Sequence, residues 1–287
     1  MNSSRDLLDR LLHMFPIRAV KQHFNLIGTS SEVIKEILDT RTSAQIKAFA
    51  FSHYLQTKQN IHLFSLNRNF VRAHISDDDF PFTISAEETI NGVTTLGCLV
   101  RVEFVVIADN PPAREELHFF QPITFVFEGR QLRIHYTKLK KNVQAYYPEN
   151  RAPRVLKIRH SENDSLKKII GYLEEIYTVA PTDINIGIKE IWDNDEIDCR
   201  KLRWRDHHSF EITVMDEDET FKEAYPERYK EVAQAPIAAS VFSYLLDDDY
   251  LCKIFGTDPS AGKINISKFP KTPDQISNVI GKILENN

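Results

Sequence analysis

The stretch TTLGCLVRVEFVVIA, residues 94–108, decides the fold class, because it is the clearest β-strand signal in the chain. Apolar side chains alternate along it and share one face, namely Leu96, Cys98, Val100, Val102, Phe104 and Val106. Arg101 and Glu103 belong to the other face. The run ends at Asp109-Asn110-Pro111-Pro112, a strong turn signal, so we expect the chain to reverse there.

The next two runs continue this sheet. LHFFQPITFVF (117–127) and QLRIHYTKL (131–139) are predicted to form a hairpin across Glu128-Gly129-Arg130. Pro122 predicts a bulge or an edge position, because proline cannot donate to the strand ladder. Upstream, IHLFSL (61–66) and NFVRAHI (69–75) are apolar and aromatic, which indicates two more strands.

Helices are predicted on either side of this sheet. Residues 4–58 show helical periodicity, with Thr29 and Glu32 as a capping box for a third helix and Ser43 as the cap of a fourth. After the sheet, SLKKIIGYLEEIY (165–177) is predicted as a helix capped by Asn163 or Asp164.

The C-terminal third mixes both patterns. INIGIKEIW (184–192), IDCRKLRWR (197–205) and SFEITVM (209–215) indicate a three-stranded meander. IAASVFSYLL (237–246) and YLCKIF (250–255) indicate helices, KINISKF (263–269) a strand, and DQISNVIGKIL (274–284) a closing helix.

Strands precede helices without regular alternation, which is typical of an α+β fold. We predict a helical module over residues 1–58, a β-rich domain with a mostly antiparallel sheet and a closing helix over 59–181, and an α+β domain over 182–287.

Composition indicates an intracellular protein, cytoplasmic or, in a eukaryote, nuclear. No run approaches the roughly 20 apolar residues of a membrane span, so no membrane partner is expected. Asp6, Asp9 and Arg10 interrupt the N-terminal leucines, unlike the apolar core of a signal peptide. The three cysteines are scattered and form no CxxC pair, so we predict reduced, buried thiols at Cys98, Cys199 and Cys252.

Catalytic motifs are missing from the sequence. It contains no GxxxxGK[ST], GxGxxG or GxSxG pattern, and no Cys/His cluster with zinc spacing. The acidic runs at 77–79, 216–219 and 247–249 are typical of solvated turns or helix starts. We therefore predict no cofactor and no metal, and an enzyme is the least supported class.

One segment departs from the acidic character of the chain. Residues 137–160, TKLKKNVQAYYPENRAPRVLKIRH, carry seven basic side chains and one glutamate, a charge of +6, whereas the whole chain carries −5, so the rest of the chain carries −11. Two tyrosines lie within this cationic run. Rings beside lysine and arginine suit a single strand, since rings stack on bases and cations hold phosphates.

This segment, with the strand before it, supplies the candidate nucleic-acid site. We predict phosphate contacts from basic side chains and stacking from the tyrosine pair. The predicted residues are Arg133, Lys138, Lys140, Lys141, Arg151, Arg154, Lys157 and Arg159 for phosphates, and Tyr146 and Tyr147 for bases. If the two flanking strands share a sheet, Arg133, Lys157 and Arg159 could line one positive surface.

A second candidate lies near the N-terminus. Residues 15–38, FPIRAVKQHFNLIGTSSEVIKEIL, resemble a SAP-like module, a family of two short helices joined by a loop whose members commonly bind DNA. Val20-Lys21 stands where the family usually has Leu-Lys. The family often has Gly-Lys before the second helix, and this chain has Thr29-Ser30-Ser31 there. The resemblance adds Arg18 and Lys21 as candidate DNA contacts.

A purely structural role for the basic segment stays open. Lysine and arginine on an edge strand prevent aggregation, their stems cover apolar surface, and their charge could neutralise acidic stretches of the same chain. Our first hypothesis is a non-enzymatic nucleic-acid-binding protein that also docks a protein partner. The alternatives are a protein–protein adaptor of a larger assembly and, third, a nuclease-like enzyme.

Overall fold

The computed structural model describes residues 3–109, 112–139, 154–159, 161–205, 209–213 and 219–287. The helices in this part of the chain are α1 (Ser4–Leu12), α2 (Ile17–Phe24), α3 (Ser30–Thr40), α4 (Ser43–Ser52), α5 (Glu162–Glu174), α6 (Asn185–Asp193), α7 (Phe221–Ala224), α8 (Pro226–Gln234) and α9 (Asp274–Glu285). The strands are β1 (Gln59–Leu66), β2 (Ile84–Ile90), β3 (Val93–Asp109), β4 (Pro112–Glu128), β5 (Gln131–Thr137), β6 (Arg154–Arg159), β7 (Val179–Pro181), β8 (Ile197–Arg205), β9 (Ser209–Thr213), β10 (Ile237–Tyr244), β11 (Ile254–Asp258) and β12 (Lys263–Ile266).

The strands form one continuous sheet, which confirms the α+β class. Its order is β2-β3-β4-β5-β1-β12-β11-β10-β8-β9, with β6 paired to β3 and β7 paired to β1. The pairings are antiparallel throughout the described residues. Because β1 pairs with both β5 and β12, the predicted second and third domains share this sheet. The three-part division itself stays a prediction.

The long strand β3 is one arm of a hairpin. β3 and β4 pair over their whole lengths, from Val93 opposite Glu128 to Asp109 opposite Pro112. The alternating stripe on β3 is buried at Leu96, Cys98, Val102, Phe104 and Val106, as predicted. Its first half packs with α5 and its second half with the N-terminal helices, so one strand joins two apolar cores.

Two tight turns set the register of this hairpin system. Asn91 and Gly92 between β2 and β3 both have positive φ, 51° and 80°, which suits the asparagine-glycine pair of a two-residue hairpin. The predicted turn around Gly129 is confirmed, with Glu128 paired to Gln131. Pro122 falls where β4 runs beyond its pairing with β5, so β4 has an open side at that residue.

The N-terminal helices agree with their sequence signals, with small differences at the caps. Thr29 and Glu32 form the predicted capping box of α3. Thr42, rather than Ser43, caps α4, and Ser161, rather than Asn163 or Asp164, caps α5. In both helices the true cap pairs with a residue three positions later, Gln45 or Asp164, so reciprocal hydrogen bonding selects the cap.

Four predicted elements are wrong. NFVRAHI contains a single 3-10 turn, Arg72–His74, instead of a strand. INIGIKEIW is helix α6, because Ile184, Ile188, Ile191 and Trp192 follow helical spacing and are buried, whereas Ile186 is 65% exposed. IAASVFSYLL is strand β10, which β8 and β11 flank on both sides. YLCKIF is no helix, and its end begins strand β11.

The cysteines match the prediction of reduced, buried thiols. Cys98, Cys199 and Cys252 are buried and form no disulfide. Burial raises the pKa of Cys98 and of Cys252 to about 12, so both thiols stay protonated at neutral pH.

The helices are short. Among the described residues, the longest is α5 with 13 residues, and no helix has the length and apolarity to cross a membrane.

Candidate functional site

The basic segment begins and ends beside the sheet. Lys140, Lys141, Tyr146, Tyr147 and Arg151 lie outside the described residues. Arg154, Lys157 and Arg159 belong to β6, whose backbone pairs with the second half of β3. The register sets Arg159 opposite Glu103, Lys157 opposite Val105 and Arg154 opposite Ile107. The segment therefore returns to the sheet as a strand on the far side of β3 from β4.

Arg133 lies in a different part of the sheet from β6. It is opposite Val126, which is opposite Thr95 on β3, whereas Arg159 is opposite Glu103. Eight residues of strand separate the two positions, about 27 Å at the usual rise. The Arg133 guanidinium donates to Glu128 Oε2 at 2.5 Å. Because opposite residues share a face, this register puts the Arg133 position on the same sheet face as Lys157 and Arg159, but too far along it to form one compact patch with them.

The SAP-like candidates lie against other parts of the chain. The Arg18 guanidinium donates to the Pro270 carbonyl and so ties α2 to the segment before α9. At the start of α3, Glu32 accepts from the Thr29 backbone N–H at 2.7 Å, and this bond lowers the pKa of that carboxyl. Lys21, the other candidate of this module, is half-buried on α2. The resemblance to a SAP-like module stays a prediction.

Lys138 opens onto a groove across the sheet. The cavity, about 600 Å³, is lined by Val102 and Phe104 of β3, Gln121 of β4, Tyr136 of β5, Lys138, Leu139, Asn60 of β1, Lys263 of β12, and Ser161, Glu162 and Asn163 at the start of α5. Asn60 is opposite Tyr136 on one side and Asn265 on the other, and opposite residues share a face. The groove thus crosses five neighbouring strands beneath the first turn of α5.

A carboxylate with three hydrogen-bond donors organises the wall of this groove. Glu162 accepts from Asn60 Nδ2 at 2.5 Å, from His62 Nε2 at 2.7 Å and from Lys263 Nζ at 2.8 Å. Burial raises the pKa of Glu162, but the bonds from His62, Lys263 and Asn60 outweigh burial and lower it to about 2. Glu162 is therefore ionised at neutral pH, and its oxygens are engaged by the chain itself.

Lys138 has a different environment. Its Nζ donates to Asn265 Oδ1 at 2.7 Å and to the Ile266 carbonyl at 3.3 Å, both uncharged acceptors. Within the described part of the chain, no carboxylate lies within ion-pair distance of Lys138. Burial lowers the pKa of Lys138 to about 8, because charging a half-buried ammonium without a counter-ion is costly.

The groove has a surplus of positive charge. Its described lining contains two lysines and one glutamate, a net charge of +1. Lys263 is paired with Glu162, so the surplus resides at Lys138. An ammonium has three N–H donors, and two of them are used by Asn265 and Ile266. One donor remains for a ligand, beside an apolar wall of Val102, Phe104 and Leu139.

The β3–β4 hairpin holds a second charged cluster on its other face. Glu103, Glu116 and His118 have side-chain ligand atoms within 4.8 Å of one another, close enough for a cation. Arg101 Nε donates to His118 Nδ1 at 3.0 Å, so Nδ1 is the acceptor and the neutral ring keeps its proton on Nε2. A protonated Nε2 cannot bind a metal. In this tautomer Nε2–H lies 3.8 Å from a carboxylate oxygen of Glu103 and of Glu116, an arrangement that does not favour a metal ion.

Sequence reasoning missed the groove because its parts are far apart in the chain. Asn60, Glu162 and Lys263 meet only through the pairing of β1 with β12 and the placement of α5. The available signal was weak. Asn60 and His62 are polar residues on one face of an otherwise apolar strand, and such residues are normally buried against hydrogen-bonding partners.

Comparison with known proteins returned no match. No protein-family model matches the chain, and no curated protein or solved structure is significantly similar to it. The function has to be inferred from the geometry of the site alone.

Proposed function

We propose that this chain is a non-enzymatic binding protein that contacts nucleic acid through its basic segment. One observation carries the proposal: both ends of the segment lie at one groove. Lys138 and Leu139 line it where the segment begins, and Ser161, Glu162 and Asn163 line it directly after the segment ends. The basic segment therefore begins and ends beside the surplus positive charge of the groove.

The chemistry of the segment supports a phosphate-bearing partner. Lys140, Lys141 and Arg151 would hold phosphates, while Tyr146 and Tyr147 would stack on bases. Stacking contributes roughly 1–3 kcal/mol per base, so two rings add materially to the affinity. The net charge of −5 does not oppose this, because charges beyond a screening length of about 8 Å contribute little at physiological salt.

The strand β6 extends the proposed surface along the sheet. Arg154, Lys157 and Arg159 follow one another on a strand that, among the described residues, pairs only with β3. An edge strand rich in cations suits the backbone of a single nucleic-acid strand. The same composition also protects an edge from aggregation, and the salt dependence of binding distinguishes the two roles.

A charge reversal with a matched control tests the proposal. We expect Lys140→Glu with Lys141→Glu to weaken binding to a labelled single-stranded oligonucleotide by about tenfold or more and to lower the slope of log affinity against log salt by about 1.4. The control is Arg228→Glu with Lys230→Glu on α8, where both cations pair with neighbouring glutamates. This control variant changes the net charge by the same amount as the Lys140/Lys141 variant. It should leave the slope of log affinity against log salt unchanged.

Two results would contradict the proposed nucleic-acid function. Equal loss in both variants would indicate a general effect of net charge, and no loss in either would exclude the basic segment as the contact. Single- and double-stranded oligonucleotides measured side by side distinguish stacking on splayed bases from contact with duplex backbone.

The adaptor alternative has its own structural support. Leu246 and Phe269 are 45% and 39% exposed and line one cavity of about 430 Å³ with Asp247, Asp248 and Asp249. Exposed apolar side chains bordered by charge are typical of protein-binding surfaces. A partner that stays bound after nuclease treatment and is lost on Leu246→Asp would favour the adaptor function.

A further inference from the structure

The groove beside Lys138 combines an apolar wall with a cation that has no counter-ion among the described residues, and it is large enough for a small organic anion. Ligand sites are generally concave, mostly apolar and furnished with a few convergent polar groups. Here Val102, Phe104 and Leu139 supply the wall, while Lys138 and Gln121 supply polar groups. The volume of about 600 Å³ lies in the usual range for such sites.

We propose that this groove binds one nucleotide unit, with its phosphate on the Lys138 ammonium and its base against the apolar wall. The choice of a nucleotide rests on the proposed nucleic-acid function. A free mononucleotide and one nucleotide of a bound strand present the same chemistry, so the experiment separates these two sources.

Among the described residues, no carboxylate forms an ion pair with Lys138. Within the part of the chain that the structure describes, the ammonium donates to the amide oxygen of Asn265 and the carbonyl of Ile266, both uncharged, and burial lowers its pKa. A phosphate oxygen would take the third donor and supply the missing counter-charge. Hydrogen bonds between two charged groups are roughly twice as strong as neutral ones, so the gain is large at this position.

The groove is also held in shape before any ligand arrives. The Lys138 backbone N–H donates to the Lys58 carbonyl at 2.7 Å, and Asn265 Nδ2 donates to Asn60 Oδ1 at 2.9 Å. Asn60 in turn donates to Glu162. This chain of bonds connects the ammonium to the fixed carboxylate, so little order has to be gained on binding.

The charges around Lys138 favour the binding of an anion. Burial is the main cause that lowers the pKa of Lys138; Glu162 opposes it, whereas Lys263 and Lys58 add to it. Glu162 is committed to hydrogen bonds from other side chains, Lys263 among them, so it does not compete for Lys138. An incoming anion is therefore the charge that this position lacks.

Calorimetric titration with deoxyadenosine monophosphate tests the site without any strand. We expect saturable binding at pH 7, at least tenfold tighter than that of deoxyadenosine or of inorganic phosphate alone. Lys138→Met should weaken it at least tenfold, Lys138→Arg should keep most of it, and the control Lys167→Met, on the exposed side of α5, should leave it unchanged.

The pH dependence provides a test that needs no variant. The nucleotide phosphate has lost its second proton by about pH 7. Affinity should fall to about half by about pH 8 and severalfold by about pH 9.5, as Lys138 loses its proton. The absence of measurable binding at millimolar nucleotide, or binding indifferent to both pH and Lys138→Met, would overturn the proposal.

A single-stranded oligonucleotide added in competition separates the sources. Displacement of the mononucleotide by the strand places one strand nucleotide in the groove, whereas simultaneous binding assigns the groove to the free nucleotide. If the strand binds through Lys140 and Lys141 but the mononucleotide fails, the proposed function survives and this inference falls. If the mononucleotide binds but the strand does not, this inference survives and the proposed nucleic-acid function falls.

Discussion

Two carboxylates, Glu162 at the start of α5 and Asp198 on β8, have opposite surroundings. Glu162, above the groove, receives three side-chain donors, and its pKa is lowered to about 2. Asp198, inside the C-terminal core, accepts the Phe221 backbone N–H at 2.8 Å, while Arg200 Nε stays 3.7 Å from its other oxygen. Burial raises the pKa of Asp198, and its backbone bonds offset only part of that shift.

This difference distinguishes a carboxylate at a candidate ligand site, Glu162, from a carboxylate in the structural scaffold, Asp198. Around Glu162 three donors satisfy the carboxylate, and the positive charge that it does not pair opens onto a cavity at Lys138. Around Asp198 the donors are too few: the side chain is buried, and within the described residues its Oδ2 has no hydrogen-bond partner. An anionic ligand can use a surplus positive charge that faces a cavity, whereas a buried carboxylate with too few donors only costs stability.

The largest expected effect is on the groove side. Glu162→Gln removes the charge that pairs with Lys263, so we expect a loss of about 2–3 kcal/mol in unfolding free energy at pH 7. Urea denaturation measures it, with Glu174→Gln, exposed on the same helix, as control. A loss below about 0.5 kcal/mol would show that the network contributes little to stability.

The same carboxylate gives a signed pH dependence. The pKa of Glu162 in the folded protein, about 2, lies below the ordinary carboxyl value of the unfolded chain. Glu162 therefore stabilises the fold at pH values above the ordinary carboxyl pKa, and this stabilisation is lost as the pH falls from about 5 to about 2. The wild-type protein should lose stability over this window more steeply than Glu162→Gln, as followed by urea denaturation at each pH. Parallel curves for the two proteins would contradict the assignment.

A smaller effect of opposite sign is expected at Lys138. Because its folded pKa of about 8 lies below the ordinary lysine value, the charged form costs stability below pH 8, and the cost disappears as pH rises towards about 10.5. Lys138→Met should therefore gain up to about 1 kcal/mol over wild type at pH 7 and lose that advantage by about pH 10. A stability difference independent of pH would contradict this.

The smallest effect is expected on the scaffold side. Asp198→Asn keeps an acceptor for the Phe221 N–H and removes a charge that burial disfavours. We expect stability at pH 7 to stay within about 0.5 kcal/mol of wild type or to rise slightly. A loss comparable with that of Glu162→Gln would erase the contrast between the two carboxylates, and urea denaturation distinguishes these outcomes.

Local pattern in the sequence predicted those features that depend on near neighbours. The alternating stripe of β3, the turn at Gly129 and the Thr29–Glu32 capping box depend on residues a few positions apart, and all three are confirmed. The helix predicted over residues 237–246 is wrong because their apolar spacing suits both a helix and a strand. The choice between them depends on pairing with β8 and β11, which lie outside the local window.

The candidate site divides in the same way. Clustered charge indicated a cationic segment and included Lys138, but its acceptors Asn265 and Ile266 lie 127 and 128 residues further along the chain. The groove arises from the joining of β1 and β12, which no periodicity predicts. Charge patterning located the segment, and only the three-dimensional arrangement located a place for a ligand beside it.

The most direct test is the pKa of Lys138, measured by nuclear magnetic resonance of the lysine side chains in labelled protein. We predict a value near 8 in the protein alone and a rise of at least about one unit with saturating deoxyadenosine monophosphate, because a bound phosphate stabilises the ammonium. An ordinary lysine pKa in the protein alone, or a depressed value that the nucleotide leaves unchanged, would contradict the account.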